Sequence, residues 1–184
     1  MKYLLKPSLT LLITSAVIIA MLSIVHSLTL EPIERQSIAQ RDTAMRQVLP
    51  QADEYAEFEG ELSGGITAIF QGFSGGEPIG FVLAVSSQGY SGPVDIMVGI
   101  SSEDQAISGV RILRHSETPG LGALIARDSF YLRFDGRDIV PIMVVRSSPG
   151  EHTIDAITSA TISTRAVTNS VNEAIEWYLG GGER

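Results

Sequence analysis

Residues 155–179 read DAITSATISTRAVTNSVNEAIEWYL, and the second part of this stretch has the clearest periodicity in the chain. From residue 161 onward apolar and small residues recur three or four positions apart, which predicts an amphipathic helix over 161–179. The glycines at 180–182 are expected to end it. We expect Trp177 and Tyr178 to pack within the domain rather than to contact a ligand.

Upstream of this helix the chain consists of short β-rich runs separated by Gly, Ser, Pro and Asp clusters. Residues 99–110 are typical of two antiparallel strands joined by a short acidic turn. The sequence therefore predicts an α+β domain with a twisted, mostly antiparallel sheet and flanking helices. The predicted strands are 66–70, 79–86, 94–100, 107–113 and 139–145.

The first thirty residues form a separate segment. The 24 residues between Lys6 and Glu31 carry no formal charge, enough for a helix to cross a bilayer core of about 30 Å. Lys2 and Lys6 are the only lysines and precede this run, so the positive-inside rule predicts a cytoplasmic N-terminus and an exported acidic domain. A cleaved signal peptide ending near Val25-His26-Ser27 is the alternative, although the run exceeds the usual apolar length of about 7–15 residues.

The remainder divides into a linker and a domain. Residues 31–49 predict a helix that continues from the membrane and stops at Pro50. We therefore predict a membrane anchor over 1–30, a helical linker over 31–60 and an extracytoplasmic domain over 61–184. The acidic run 53–61 (DEYAEFEGE) indicates a solvated face, with a docking surface as the alternative.

Composition excludes several classes of function. The 184 residues carry 13 Lys+Arg and 21 Asp+Glu, a net charge of −8, which disfavours binding to nucleic acid. The chain has no cysteine, which removes disulfides, thiolate zinc sites and Cys-ligated iron–sulfur clusters. No His or carboxylate pair has metal-ligand spacing and no Gly-x-Ser-x-Gly turn occurs, so we expect neither a metal site nor a catalytic residue.

The first candidate binding motif is the heptapeptide 155–161 (DAITSAT) at the start of the last helix. A helix N-terminus has unpaired N–H groups and a positive dipole end, which suit a phosphate. Thr161 places a hydroxyl there, and Arg165 shares its face one turn later. The alternative is that Thr158, Ser159 or Thr161 is an N-cap residue.

The second motif is the octapeptide 115–122 (HSETPGLG). Thr118 followed by Pro119 predicts a helix start. Glycines in a first helical turn cost about 1 kcal/mol each relative to alanine, which suggests that Gly120 and Gly122 let a flat ligand approach the backbone. A tight turn before a helix is the alternative. His115 is either a proton donor or a structural hydrogen-bonding residue.

Together the two motifs, preceded by residues 89–100 (GYSGPVDIMVGI), resemble a known family. The family is the FMN-binding domain of the G subunit of the Rnf electron-transport complex, also called the SoxR-reducing system. It is related to the C subunit of the sodium-translocating NADH:quinone reductase. The resemblance runs from the N-terminal anchor to the last helix and is most specific over 89–168.

The resemblance implies a covalent FMN. In the family a flavin transferase moves FMN from FAD onto the last threonine of an Asp-x-x-(Ser/Thr)-Gly-Ala-Thr pattern, which corresponds to Thr161 here. Ser159 departs from the pattern's glycine, and a positive φ at that position would strain serine by about 1–2 kcal/mol. The implied cofactor-binding residues are Asp155, Thr158, Ser159, Ala160, Thr161, Arg165, His115, Glu117, Thr118, Gly120, Leu121 and Gly122.

The resemblance also implies a function and partners. The chain would be a membrane-anchored electron carrier, with its FMN domain in the periplasm, in a complex that couples ferredoxin/NAD electron transfer to ion translocation. Its companions would be membrane and iron–sulfur subunits, and the flavin transferase during maturation. The chain alone would have no turnover with NAD, because it lacks a Gly-x-Gly-x-x-Gly fold. The alternatives are a regulatory FMN-binding module and a flavin-free assembly subunit.

Overall fold

A computed structural model describes residues 2–60, 62–146, 150 and 152–181, without the side chains of 2–6 and 30–34. The chain divides into two compact units, Met1–Arg41 and Asp42–Arg184. The second unit contains every strand of the described residues.

The first helix, α1, spans Lys2–Val48 without a break. Its segment Pro7–Thr29 has a mean hydropathy of 2.4 and exposed side chains, and is long and apolar enough to cross a membrane. The predicted N-terminal apolar helix is therefore confirmed, although a signal sequence would satisfy the same criterion. The helix predicted over 31–49 is the continuation of α1 and ends two residues before Pro50.

The second unit is built on a five-stranded antiparallel sheet in which the strands lie in chain order. Four of the strands match predicted runs within a few residues, so the predicted α+β class is confirmed. The strands are β1 (Glu54–Glu57), β2 (Ile66–Ser74), β3 (Glu77–Gln88), β4 (Pro93–Ser101) and β5 (Ala106–Arg114).

After the sheet the chain forms helices and a small second sheet. A 3₁₀ helix, Gly122–Ala126, is followed by the short α2, Asp128–Tyr131. Strands β6 (Met143–Val145) and β7 (Thr153–Asp155) pair in parallel, and α3 spans Thr161–Leu179 as predicted.

The large sheet lies between two apolar layers. Along β3 the side chains alternate, as a strand's period of two requires. Phe81 and Leu83 belong to the core that includes α3, whereas Val82 and Ala84 pack with the last turns of α1. Trp177 of α3 meets Phe81 edge to face, with ring centroids 5.3 Å apart, which confirms its predicted packing role.

The C-terminal end of α1 packs closely against two glycines that face each other on neighbouring strands. Gly99 of β4 pairs with Gly109 of β5, and a Cβ on Gly99 would lie 2.8 Å from the carbonyl carbon of Val48. The Ser108 hydroxyl donates to the Val48 carbonyl oxygen at 2.5 Å. This bond satisfies one of the carbonyls that a helix end leaves unpaired.

Gly99→Ala is expected to lower the free energy of unfolding by about 2 kcal/mol, because the added methyl group meets backbone rather than a flexible side chain. Trp177, the only tryptophan in the chain, is 8% exposed and reports unfolding by its fluorescence in a urea titration. Ser108→Ala removes only the hydrogen bond and should cost less, about 1 kcal/mol. Equal urea midpoints for wild type and Gly99→Ala would contradict the close packing of α1 against Gly99.

Two sequence predictions need correction. The predicted boundary at residue 61 is wrong, because β1 pairs with β2 and the second unit already begins at Asp42. The acidic run 53–61 therefore includes an edge strand with exposed carboxylates.

The strand predicted over 139–145 covers only Met143–Val145. Pro141 has no N–H to donate, and Ile142 exchanges two backbone hydrogen bonds with the Asn172 side chain instead, at 2.8 and 2.9 Å.

Candidate functional site

A cavity of about 400 Å³ lies at the N-terminal end of α3. Three segments far apart in sequence meet there: the turn before β4, the loop before the 3₁₀ helix, and the first turn of α3. The lining residues are Tyr90, Glu117, Thr118, Leu121, Gly122, Ser159, Ala160, Thr161, Ile162 and Ser163.

Glu117 joins these three segments. Its side chain is 5% exposed. Oε1 accepts hydrogen bonds from the backbone N–H groups of Tyr90 at 2.8 Å and Ser91 at 3.1 Å. Oε2 accepts from the Ser163 hydroxyl of α3 at 2.6 Å. One buried carboxylate thus fixes the positions of both neighbouring segments relative to its own loop.

The carboxylate of Glu117 is held in its charged form. Burial alone raises the pKa of Glu117, but the hydrogen bonds from Ser163, Ser91 and Tyr90 favour the anion and bring its pKa below the usual value. His115 adds a smaller contribution in the same direction. The wall of the cavity therefore carries the negative charge of Glu117, whose carboxylate oxygens accept hydrogen bonds from Tyr90, Ser91 and Ser163.

Two glycines make room for this carboxylate. A Cβ on Gly122 would lie 2.6 Å from the Ser163 hydroxyl oxygen and 2.9 Å from Cβ of Glu117. A Cβ on Gly89 would overlap the Glu117 carboxylate from the other side. The Glu117 side chain occupies the space where Gly122 would carry a Cβ, while Gly122 also lines the cavity, so close approach of a ligand to its backbone stays a prediction. Gly120 is required by its φ of +77° in the turn.

The N-terminus of α3 opens into the cavity without a side-chain cap. Ala160 is the N-cap residue, and no side chain of the described residues forms a cap hydrogen bond there, so the N-cap interpretation of Thr158, Ser159 or Thr161 is wrong. Thr161 is the first helical residue and is half-buried. The Thr164 hydroxyl stabilises the approach to the helix, since it accepts from the Ile157 N–H at 3.1 Å and donates to the Ala160 carbonyl at 3.0 Å.

The geometry fits FMN in two respects. The uncapped helix N-terminus and the Thr161 hydroxyl suit a phosphate. Exposed apolar side chains stand at the same cavity, with Leu121 44%, Ile162 50% and Tyr90 71% exposed, and offer surface to a flat aromatic ring. Isolated solvent-facing residues of this kind are common, but three around one cavity indicate a ligand surface.

Comparison with known proteins agrees with this geometry. Residues 89–176 match the family model described as FMN-binding domain. The G subunit of the ion-translocating oxidoreductase complex of Methanosarcina acetivorans is 30% identical over 177 residues, covering 94% of this chain and 93% of the relative. The G subunit of the Na(+)-translocating ferredoxin:NAD(+) oxidoreductase complex of Acetobacterium woodii is 31% identical, with 96% and 92% covered.

The chain belongs to the family of Rnf G subunits. The resemblance expected from the sequence motifs is thereby confirmed. The C subunit of the Na(+)-translocating NADH-quinone reductase from Parabacteroides distasonis shares the fold, with a TM-score of 0.61 and 21% identity over 82% of this chain and 95% of that one.

Ser159 of this Rnf G-subunit chain adopts a left-handed backbone conformation, with φ at +64°. The family pattern has glycine at this position, and the strain expected there if φ were positive is therefore present. A left-handed residue other than glycine costs roughly 1–2 kcal/mol. Ser159 lies in a turn that is closed by a hydrogen bond from the Ala160 N–H to the Ile157 carbonyl at 2.9 Å.

Ser159→Gly is expected to raise the free energy of unfolding by about 1 kcal/mol, because the left-handed conformation no longer meets a Cβ. The Trp177 fluorescence titration in urea measures the change. Ser159→Ala is the control, since alanine keeps the Cβ and should give no comparable gain. Equal stability of the glycine and alanine variants would show that the strain is relieved in another way.

The cavity contains only part of the predicted site. Thr161, Ser159 and Ala160 lie there together with Glu117, Thr118, Leu121 and Gly122. Asp155 and Thr158 line a second cavity, and Arg165 is exposed outside both linings.

Two details of the loop 115–122 also differ from the prediction. The helix begins as a 3₁₀ turn at Gly122 rather than at Thr118, whose carbonyl accepts hydrogen bonds from Leu121 and Ala123. His115 Nδ1 accepts from the Glu117 N–H at 3.3 Å, which supports the structural alternative for this histidine.

Sequence reasoning missed three residues of the site. Tyr90 lies in the quoted stretch 89–100, but no periodicity marks its side chain as part of a cavity. Ile162 belongs by its spacing to the apolar stripe of α3, yet it is half exposed at the cavity rim. Ser163 carries the one signal that could have been used, a hydroxyl two positions after Thr161 on the buried side of the helix.

Proposed function

We propose that this Rnf G-subunit chain is a membrane-anchored electron carrier whose FMN is joined to Thr161 through a phosphoester. The observation that carries the proposal is the Thr161 hydroxyl, half-buried at an uncapped helix N-terminus inside a cavity with an apolar rim. Bound FMN would supply one- or two-electron exchange, which lets a carrier connect partners that differ in electron number.

Different residues of the cavity would bind the phosphate and the ring of FMN. The N–H groups of the first α3 turn face a phosphate with the positive end of the helix dipole. The apolar side chains of Leu121 and Ile162 offer surface to the ring and exclude water from it. Through its hydrogen bonds Glu117 fixes the positions of its own loop, the turn before β4 and α3 relative to one another.

The proposal extends to topology and partners. Relatives are named as subunits of Na(+)-translocating and proton-translocating ferredoxin:NAD(+) oxidoreductase complexes. By analogy this chain would serve a complex that couples ferredoxin/NAD electron transfer to ion movement. Its N-terminus would be cytoplasmic and its FMN domain periplasmic, consistent with two lysines ahead of the apolar segment and a net acidic remainder.

The test is to express the full chain with and without a flavin transferase and to analyse the denatured protein. In-gel flavin fluorescence and an intact mass increased by one FMN minus water are expected only with the transferase. Fragmentation should place the adduct in the peptide that contains residues 155–161. Flavin that is released on denaturation would overturn the covalent link, and the absence of any flavin would overturn the carrier function.

A further inference from the structure

Among the described residues that line the candidate FMN cavity, one carries a charged side chain, Glu117. It is 5% exposed. In the part of the chain that the structure describes, no lysine or arginine forms an ion pair with it. His115 lies outside the lining, and its Nδ1 accepts the Glu117 N–H at 3.3 Å, as an unprotonated ring nitrogen does. The charge of Glu117 therefore faces the cavity without a balancing cation in the described lining.

The groups that hydrogen-bond to this carboxylate keep it ionised without cancelling its charge. Its three donors are the N–H groups of Tyr90 and Ser91 and the hydroxyl of Ser163, all of which are neutral. They hold the pKa of Glu117 below its usual value despite burial, which acts in the opposite direction. Near neutral pH the cavity wall thus carries one fixed negative charge.

The same charge lies beside the surface that is available to the flavin ring. Gly122 lines the cavity, and a Cβ at this position would overlap Oε2 of Glu117. Leu121, the preceding residue, exposes an apolar side chain to the cavity. A ring that packs on this segment would therefore lie close to the carboxylate. The positive end of the α3 dipole would be taken by the phosphate of FMN and would not offset Glu117.

Reduction changes the charge of a flavin ring. The oxidised ring is neutral, whereas uptake of two electrons from a low-potential electron donor and one proton from solvent leaves the reduced ring with one negative charge. Like charges repel, and they do so more strongly in a cavity wall that is shielded from water than in bulk water. A fixed anion beside the ring therefore favours the oxidised form.

We propose that the charge of Glu117 lowers the reduction potential of the bound flavin, an assignment that rests on the proposed FMN function. Two like charges within about 10 Å, at an effective dielectric constant of about 20, change an equilibrium constant by at least tenfold. For a two-electron couple, a tenfold change in the equilibrium constant of reduction corresponds to about 30 mV. Glu117 would thus tune the cofactor in addition to joining three segments of the chain.

The first measurement is the reduction potential of the flavin-loaded full chain in detergent, by anaerobic spectroelectrochemical titration near pH 8. We expect Glu117→Gln to favour the reduced form at least tenfold, which raises the potential by about 30 mV or more. Glu176→Gln is the control, since it removes an exposed carboxylate about 22 Å along α3 from Thr161. Its effect should stay within about twofold. An unchanged potential in Glu117→Gln, or equal shifts in the two variants, overturns the proposal.

A second pair of variants changes the charge of the cavity while keeping the hydrogen bonds of Glu117. Thr118 lines the cavity and is exposed, so a longer side chain can be placed there. Thr118→Glu adds a carboxylate, and Thr118→Gln adds a side chain of the same length without charge. The potential of the Glu variant should be lower than that of the Gln variant by about tenfold in the equilibrium constant. Equal potentials overturn the proposal even where Glu117→Gln does not fold.

A third measurement needs no covalent attachment. The full chain expressed without the transferase is titrated anaerobically with oxidised FMN and with reduced FMN. By linkage, the ratio of the two dissociation constants measures the shift in potential on binding. We expect the ratio of reduced to oxidised to fall at least tenfold from wild type to Glu117→Gln. An unchanged ratio overturns this inference alone, whereas wild type that takes up no flavin with or without the transferase overturns the proposed function and this inference with it.

Discussion

Replacement of Thr161 by alanine is expected to abolish covalent flavin while leaving the fold intact. Thr161 supplies the hydroxyl of the proposed phosphoester, at the first position of α3. Its side chain hydroxyl makes no cap to the helix, so its removal should change the free energy of unfolding by less than about 0.5 kcal/mol. In-gel fluorescence and intact mass after expression with the transferase measure the loss.

Two further variants make this result specific. Thr161→Ser retains the hydroxyl and should still carry one FMN, with slower loading because serine is held less firmly in one rotamer than a β-branched residue. Thr118→Ala removes the other threonine of the cavity and should keep the adduct. An adduct that persists in Thr161→Ala, for example on Ser159 or Ser163, would contradict the assignment of the attachment site.

The strands could be predicted from the sequence where burial imposes a period of two. β3 alternates between the α3 layer and the α1 layer, and its apolar run is correspondingly continuous. The prediction was wrong for residues 139–142, which are also apolar. There the competing partner is a side chain 30 positions away, Asn172, whose hydrogen bonds to Ile142 leave no signal in local sequence.

The candidate site was predicted from motifs rather than from physical patterns. Thr161 and Ser159 followed from the resemblance, and the positive φ of Ser159 agrees with the glycine in that pattern. The hydrogen bonds of Glu117 could not be predicted, because its donors Tyr90 and Ser163 lie 27 and 46 positions away. For the same reason the sequence does not reveal that the Glu117 side chain occupies the space where Gly122 would carry a Cβ.

Glu117→Ala is expected to lower the free energy of unfolding by about 4 kcal/mol, about twice the change expected for Gly99→Ala. Truncation leaves the N–H groups of Tyr90 and Ser91 and the Ser163 hydroxyl without their acceptor in a buried place, and hydrogen bonds to a charged group contribute about 1.5–3 kcal/mol each. Urea titration by Trp177 fluorescence measures the loss. Glu176→Gln, an exposed acid of α3, is the control and should stay within about 0.5 kcal/mol of wild type.

The pH dependence of stability separates the charge of Glu117 from its shape. Because hydrogen bonds hold its pKa below the usual value in the folded state, the anion contributes stability that is fully present above the unfolded pKa of about 4.3. That contribution is lost as the pH falls through the lower folded pKa. The stability gap between wild type and Glu117→Gln should therefore be widest above about pH 5 and narrow below about pH 4. A gap that stays constant with pH would mean that the carboxylate acts by filling space, and that its hydrogen bonds do not depend on its charge.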